Sequence, residues 1–121
     1  MVPCVIAAGA DLAVSSRTLP ELESLADEIN WKYQTEDWKP ILFLASHHGG
    51  EAVHAFMSMA SVCIVSSLHD GMNLVAKEFV AAQDEADPGV LILSRFAGAA
   101  AQMREALIVN PFSQEDVADA M

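Results

Sequence analysis

Basic residues are scarce in this sequence. Six lysines and arginines stand against 17 aspartates and glutamates in 121 residues, giving a net charge of −11 and a pI near 4.4. A protein that binds nucleic acid presents a basic face to the phosphates, so this balance argues against a nucleic-acid partner. The acidic clusters are typical of solvated helix faces and helix starts, and they predict solubility rather than a partner.

Cysteine and long apolar runs are scarce as well. Cys4 and Cys63 are far apart, neither has the spacing of a metal ligand, and Cys63 lies in an apolar run where a thiol behaves as a small hydrophobe. No apolar run approaches the ~20 residues that cross a membrane, and no basic start precedes the apolar N-terminal residues. We therefore expect a cytoplasmic protein with reduced thiols, no metal and no membrane association.

Several catalytic patterns are also missing. The chain has no Ser-His-Asp order, Cys-His pair, Walker loop or Cys-x-x-Cys. What it has is apolar content: 53% of the residues are hydrophobic and the mean hydropathy is +0.30. A domain of this size buries a limited fraction of its surface, so this composition predicts one domain that packs against more protein.

Short apolar runs alternate with segments of helical period, which indicates an α/β fold. The runs are continuous rather than alternating, as in strands covered on both faces, and they predict a parallel, doubly wound sheet. The predicted strands are residues 12–14, 41–44, 62–65, 90–93 and 107–109.

The helices between these strands are recognisable from their caps. Thr18 is a candidate cap for the first helix, and Ser113 is a natural N-cap for the last. The predicted helices are residues 20–33, 51–60 and 73–83, with a short turn at 98–103 and a final helix from residue 114.

The most informative stretch is residues 70–78, directly after the apolar run 61–66. It reads as a strand, a tight turn and a helix, and the start of such a helix offers unpaired N–H groups and a positive dipole end to an anion. Asp70 lies in the turn, and Glu78 lies five residues past Asn73, about 7.5 Å along the axis. Two carboxylates beside an anion-binding site match the hydroxyl groups and the diphosphate of a nucleotide sugar. The alternative is a helix cap followed by an exposed Glu.

Three blocks, residues 70–83, 88–100 and 106–112, resemble in order the C-terminal domain of the trehalose-6-phosphate synthase family. That family consists of retaining glycosyltransferases with two Rossmann domains. The resemblance covers residues 11–121, and residues 1–10 match no part of it. It implies a Rossmann-like parallel sheet with flanking helices, an incomplete half of the two-domain enzyme that forms part of its C-terminal, nucleotide-sugar (donor) binding domain.

The resemblance also implies roles for individual residues. Asp70 is the catalytic candidate and would accept from the glucose hydroxyls, backbone amides after it would hold the diphosphate, and Glu78 would grip the ribose. The donor-binding set implied in this way is Gly71, Met72, Asn73, Leu74, Glu78 and His48.

Two further residues gain a role only through the resemblance. Arg17 matches the arginine that holds the acceptor's phosphate, although a single Arg at a strand end is more often an exposed charge. His48 matches the position that packs on the uracil ring. Its neighbour His47 cannot share one face with it, and no carboxylate pairs with either at metal spacing. His54 is expected at the surface.

The implied reaction transfers glucose from UDP-glucose to glucose 6-phosphate, with retention, to give trehalose 6-phosphate and UDP. No cofactor is implied beyond the donor substrate. The implied partners are a nucleotide sugar, a sugar phosphate, and the absent N-terminal domain or a full-length synthase, so we expect the isolated chain to be inactive. Two alternatives stay open: a glucosylglycerol-phosphate synthase-type transferase, and a non-catalytic remnant that binds full-length synthase.

Overall fold

The computed structural model describes residues 4–8, 11–15, 19–43 and 49–121. Strands and helices alternate from residue 11 onward, as the apolar runs predict. The elements are β1 (Cys4–Ala8), β2 (Asp11–Ser15), α1 (Leu19–Tyr33), β3 (Ile41–Phe43), α2 (Gly50–Met59), β4 (Val62–Val65), α3 (Leu74–Ala82), β5 (Val90–Ser94), a 3-10 turn (Gly98–Ala101), β6 (Leu107–Val109) and α4 (Gln114–Ala120).

The strands form one sheet in the order β3-β2-β1-β4-β5-β6. β4 pairs in parallel with β5, and β5 with β6, so these three strands end at the same edge of the sheet. β2 and β3 are parallel to each other as well. The α/β class, the flanking helices and this parallel pairing confirm the prediction.

β1 is the exception, because it is antiparallel to both of its neighbours. No strand was predicted in residues 1–10, so this antiparallel strand is an addition to the predicted parallel sheet. Only two residues separate β1 from β2. A parallel crossover needs a dozen or more residues, so such a short connection permits only an antiparallel hairpin.

Side chains on the two faces of β4 and β5 enter different cores. Cys63, Val65 and Leu93 lie on one face with the buried sides of α2 and α3. Ile64 and Ile92 lie on the other face, where Val117 and Ala120 of α4 pack. Because both faces are covered, the central strands read as continuous apolar runs rather than alternating ones.

Most helix boundaries agree with the predicted ones to within a residue. Ser113 caps α4 and accepts a hydrogen bond from the Asp116 N–H at 3.1 Å, which confirms its predicted role. The predicted cap Thr18 lies outside the described residues. In the described part of the chain, no helix has the length and apolar character that crossing a lipid bilayer requires.

Candidate functional site

The turn between β4 and α3 is built around Asn73. This residue has the left-handed conformation, with φ 65° and ψ 87°, and caps α3 by accepting a hydrogen bond from the Ala76 N–H at 2.9 Å. Asn is among the few side chains that adopt this conformation readily, because its short amide bonds to the local backbone. Residues 70–74 therefore form a compact turn at the N-terminus of a helix, where amides and dipole favour an anion.

The carboxylate of Asp70 lies across this turn. Its Oδ1 accepts from the Met72 N–H at 3.1 Å, and its Oδ2 accepts from the Asn73 side-chain amide at 2.8 Å. The hydrogen bond from the Met72 N–H is the main cause that lowers the pKa of Asp70 below its ordinary value of 3.8. Desolvation raises this pKa, whereas Asn73 and the neighbouring His69 lower it further. Asp70 is therefore ionised at neutral pH and is an acceptor for hydroxyl groups.

Two buried serines, Ser67 and Ser94, hold this turn through hydrogen bonds, and neither was among the predicted site residues. The Asn73 amide also donates to the Ser67 hydroxyl at 3.1 Å. The Ser94 hydroxyl, at the end of β5, donates to the Ser67 carbonyl at 2.6 Å and accepts from the Phe96 N–H at 3.1 Å. The only sequence signal for this network was a serine at the end of each of two adjacent apolar strands.

A short stretch of parallel pairing also joins the turn to the segment after β5. The Asp70 N–H donates to the Phe96 carbonyl at 3.3 Å, and the Gly98 N–H donates to the Asp70 carbonyl at 2.8 Å. These two bonds make an isolated bridge between Asp70 and Ala97. Asp70 is thus held by its backbone as well as by its carboxylate.

Glu78 lies one turn into α3, and its side chain is exposed. It lines a groove of about 580 Å³ between α2 and α3, together with His54 and Met57. Gly50, at the start of α2, also lines this groove. Since parallel strands and their helices present the same ends to one edge of the sheet, the starts of α2 and α3 lie on the side where open α/β folds bind ligands.

The other predicted residues are only partly tested. Arg17, His47 and His48 lie outside the described residues. His54 is exposed on α2, as expected, and Cys63 is completely buried in β4. Within residues 4–8, 11–15, 19–43 and 49–121, no three His, Cys, Asp or Glu side chains are grouped to hold a metal ion.

The amino-acid sequence matches a known family over almost its whole length. The model of glycosyltransferase family 20 matches residues 2–121. The chain belongs to glycosyltransferase family 20. This match begins at residue 2 and so includes residues 2–10, in which no family motif was recognised.

Relatives within glycosyltransferase family 20 are considerably longer. A trehalose-6-phosphate synthase of Salmonella paratyphi B is 50% identical over 101 residues, which cover 84% of this chain and 21% of that protein. The chain therefore spans about a fifth of the length of the curated relatives that it matches.

Solved structures of this group share the fold. A UDP-forming alpha,alpha-trehalose-phosphate synthase from Burkholderia xenovorans, in complex with glucose-6-phosphate, is similar with a TM-score of 0.80 and 46% identity. An E. coli protein solved with UDP-2-fluoro glucose has a TM-score of 0.79 and 48% identity. Each match covers 84% of this chain and 22% of the longer one. The α/β fold of this chain is thus the fold of part of those proteins.

Proposed function

We propose that this chain is the donor-binding part of a trehalose-6-phosphate synthase and binds the nucleotide sugar UDP-glucose. The observation that carries the proposal is the turn of residues 70–74, where Asp70 and the left-handed Asn73 shape the N-terminus of α3. Support comes from the relatives, which are named trehalose-6-phosphate synthases, and from the E. coli structure with UDP-2-fluoro glucose.

In this proposal the diphosphate binds at the N-terminus of α3, where Leu74 offers its backbone N–H, while the Met72 N–H stays bonded to Asp70. The first N–H groups of a helix lack partners within it, and they carry the positive end of its dipole. Asp70 accepts hydrogen bonds from the glucose hydroxyls. Each carboxylate oxygen has two lone pairs, so Asp70 can accept from a hydroxyl while it keeps its bonds to Met72 and Asn73.

Glu78, which lines the groove between α2 and α3, then binds the ribose hydroxyls. His48 would pack against the uracil, and Arg17 would hold the phosphate of the acceptor. These two assignments rest on the family resemblance alone.

The proposed reaction breaks the bond between the anomeric carbon of glucose and the diphosphate, and joins that carbon to a hydroxyl of glucose 6-phosphate. Trehalose 6-phosphate and UDP are the products. Catalysis of this kind rests on holding the leaving diphosphate and orienting the acceptor on the same face of the sugar. We infer that the acceptor side comes from an N-terminal domain or a full-length synthase.

Binding of three ligands to the 121-residue chain tests this proposal, with NMR or calorimetric titration of uridine, UDP and UDP-glucose. Asp70→Asn should reduce the gain in affinity that glucose adds to UDP by about tenfold, since a hydrogen bond to a charged group is worth roughly 1.5–3 kcal/mol. Glu78→Gln should weaken all three ligands, because all three contain the ribose. Glu85→Gln, which removes an exposed acid beyond α3, is the matched control.

Absence of UDP binding by the unchanged chain would contradict the proposal, as would an Asp70→Asn variant that weakens UDP and UDP-glucose equally. The chain alone should release no measurable UDP from UDP-glucose and glucose 6-phosphate. Turnover by the purified chain would show that the described residues and their neighbours in the sequence suffice for the reaction.

A further inference from the structure

Gly98 lies directly against the proposed diphosphate-binding turn. A Cβ atom at this position would meet the Gly71 carbonyl oxygen in a severe overlap, the Gly71 carbonyl carbon at 2.7 Å and the Met72 nitrogen at 3.2 Å. All three are backbone atoms of one peptide, so no side-chain rotation can relieve the overlap. The absence of a side chain at Gly98 is what allows the Gly71–Met72 peptide to occupy its place.

The glycine inside the motif is not under the same constraint. A Cβ atom added at Gly71 would meet nothing within 4 Å. The close approach of the two segments therefore depends on a glycine 27 positions further along the chain, rather than on the glycine that the turn itself contains.

Hydrogen bonds fix the relative position of the same two segments. Gly98 donates its N–H to the Asp70 carbonyl at 2.8 Å. Ser94 reaches back to the Ser67 carbonyl at 2.6 Å, and both serines are completely or almost completely buried. The Gly71–Met72 peptide and its turn are thus held by the segment after β5 through contact at Gly98 and through the hydroxyl of Ser94.

We propose that Gly98, together with Ser94, positions the Gly71–Met72 peptide, whose N–H is bonded to Asp70, and thereby fixes the turn whose remaining amides bind the donor diphosphate. Neither residue touches the donor; each acts through the turn. This inference rests on the proposed function, since it concerns the geometry of that same site.

Adding a methyl group at Gly98 forces the two backbone segments apart, because a real Cβ essentially never lies within 3.0 Å of such atoms. The Met72 N–H moves with the peptide. A misplacement of the turn by about 1 Å at a site that depends on orientation costs up to about 100-fold, and the loss falls on the diphosphate that the turn binds.

The test compares UDP with uridine on the 121-residue chain by NMR titration. Gly98→Ala should weaken UDP by about 10- to 100-fold while it leaves the affinity for uridine, which has no diphosphate, within about twofold. A general loss of stability reduces the apparent affinities for UDP and uridine by the same factor, because both ligands bind only the folded fraction of the chain. The ratio of the two dissociation constants therefore separates positioning from folding.

Gly89→Ala is the matched control. A Cβ atom there would lie 2.5 Å from the Ala60 carbonyl oxygen and 2.8 Å from the Gln83 side-chain oxygen, so it also creates an overlap. Gly89 precedes β5, at the opposite end of that strand from Ser94. This variant should lose stability and keep the unchanged chain's ratio of UDP to uridine affinity.

Ser94→Ala provides a second test that adds no atoms, in case Gly98→Ala does not fold. It should lower the same ratio, by a smaller factor. An unchanged ratio in the folded variants would overturn the inference while the proposed function stands. Failure of the unchanged chain to bind UDP would contradict the proposed function and this inference with it.

Discussion

The Asp70 carboxylate has a structural role besides the role in donor binding that we propose for it. Its two oxygens accept from Met72 and Asn73, and its pKa is lowered chiefly by the Met72 bond. A carboxyl whose folded-state pKa is depressed stabilises the protein above its unfolded-state value, and this contribution is lost as the pH falls through the folded-state pKa. Charge at Asp70 is therefore part of the stability of the turn at neutral pH.

We expect Asp70→Asn to lower the free energy of unfolding at pH 7, because the neutral amide makes weaker bonds and turns a donor toward the Asn73 amide. The difference from the unchanged chain should shrink as the pH falls below 3.8, where the unfolded-state carboxylate becomes protonated. Urea denaturation at several pH values measures this difference. Asp87→Asn, at an exposed position, removes the same charge as a control. A difference that stays constant down to low pH would refute the prediction.

Asn73 combines a left-handed backbone with a side chain that makes three hydrogen bonds. Asn73→Ala should lower the free energy of unfolding by about 2–4 kcal/mol, through the lost cap, the lost buried bonds and left-handed strain. Asn73→Gly loses the same hydrogen bonds but introduces no left-handed strain, so it should be about 1 kcal/mol less destabilising than Asn73→Ala.

Ser113→Ala is the matched control for Asn73, because it removes a side-chain cap from α4 without a left-handed backbone. It should cost about 1 kcal/mol. Urea denaturation of the four chains gives the order. If Asn73→Gly is no more stable than Asn73→Ala, the left-handed conformation does not contribute as argued.

At the scale of elements, a single side chain joins α1 to the edge strand β3. The buried Asn30 amide donates to the Ile41 carbonyl at 2.9 Å, and its oxygen accepts from the Ile41 N–H at 2.8 Å. These bonds pair both backbone groups of the first residue of β3. Ile41 is buried too, so an unpaired backbone group there would be costly.

Asn30→Ala should therefore lower the free energy of unfolding by about 2 kcal/mol or more, since each buried backbone group left unpaired costs roughly 1–3 kcal/mol. The Ile41 amide should also exchange its hydrogen with solvent faster. Ser24→Ala, at an exposed position of the same helix, is the control. Equal effects of the two substitutions on stability would show that the Asn30 bonds contribute little.

Local sequence patterns predicted most of the elements but not the antiparallel β1. Continuous apolar runs such as Val62–Val65 identify strands, and they favour parallel pairing only through the burial of both faces. Strand direction depends on the connection between partners, and here the short link between β1 and β2 decided it. A pattern within one strand contains no such information.

In the candidate site, too, local sequence predicts some of the residues and not others. Asp70, Asn73 and the start of α3 are close in sequence, and their turn chemistry is visible there. Ser94 and Gly98 act across the gap between two parallel strands. Their roles become evident only when the fold brings residues 27 positions apart into contact.

At the scale of the whole molecule, the described surface carries large apolar side chains. Trp31 is 83% exposed and Phe112 is 68% exposed. Met72 and Leu74, in the turn of residues 70–74, are more than half exposed. Surfaces of this kind are typical of regions that contact other protein or a ligand. They support the expectation that this chain packs against more protein, which stays a prediction.

The net charge of −11 gives the last prediction, because UDP is itself an anion. In the proposed function, the turn of residues 70–74 attracts the diphosphate through local amides, whereas the net negative charge of the molecule repels it. Salt screens the long-range repulsion, with a Debye length that falls from about 30 Å at 0.01 M to about 8 Å at 0.15 M, and affects short hydrogen bonds much less. UDP affinity should therefore hold or rise as salt is added over this range.

Calorimetric titration at the two ionic strengths checks this expectation, and uridine, which carries no charge, provides the baseline. A cationic phosphate site behaves in the opposite way, because salt weakens its attraction for the ligand. A marked loss of UDP affinity with salt, absent for uridine, would mean that lysine and arginine side chains dominate binding. The backbone amides of the turn of residues 70–74 would then not be the principal anion-binding groups.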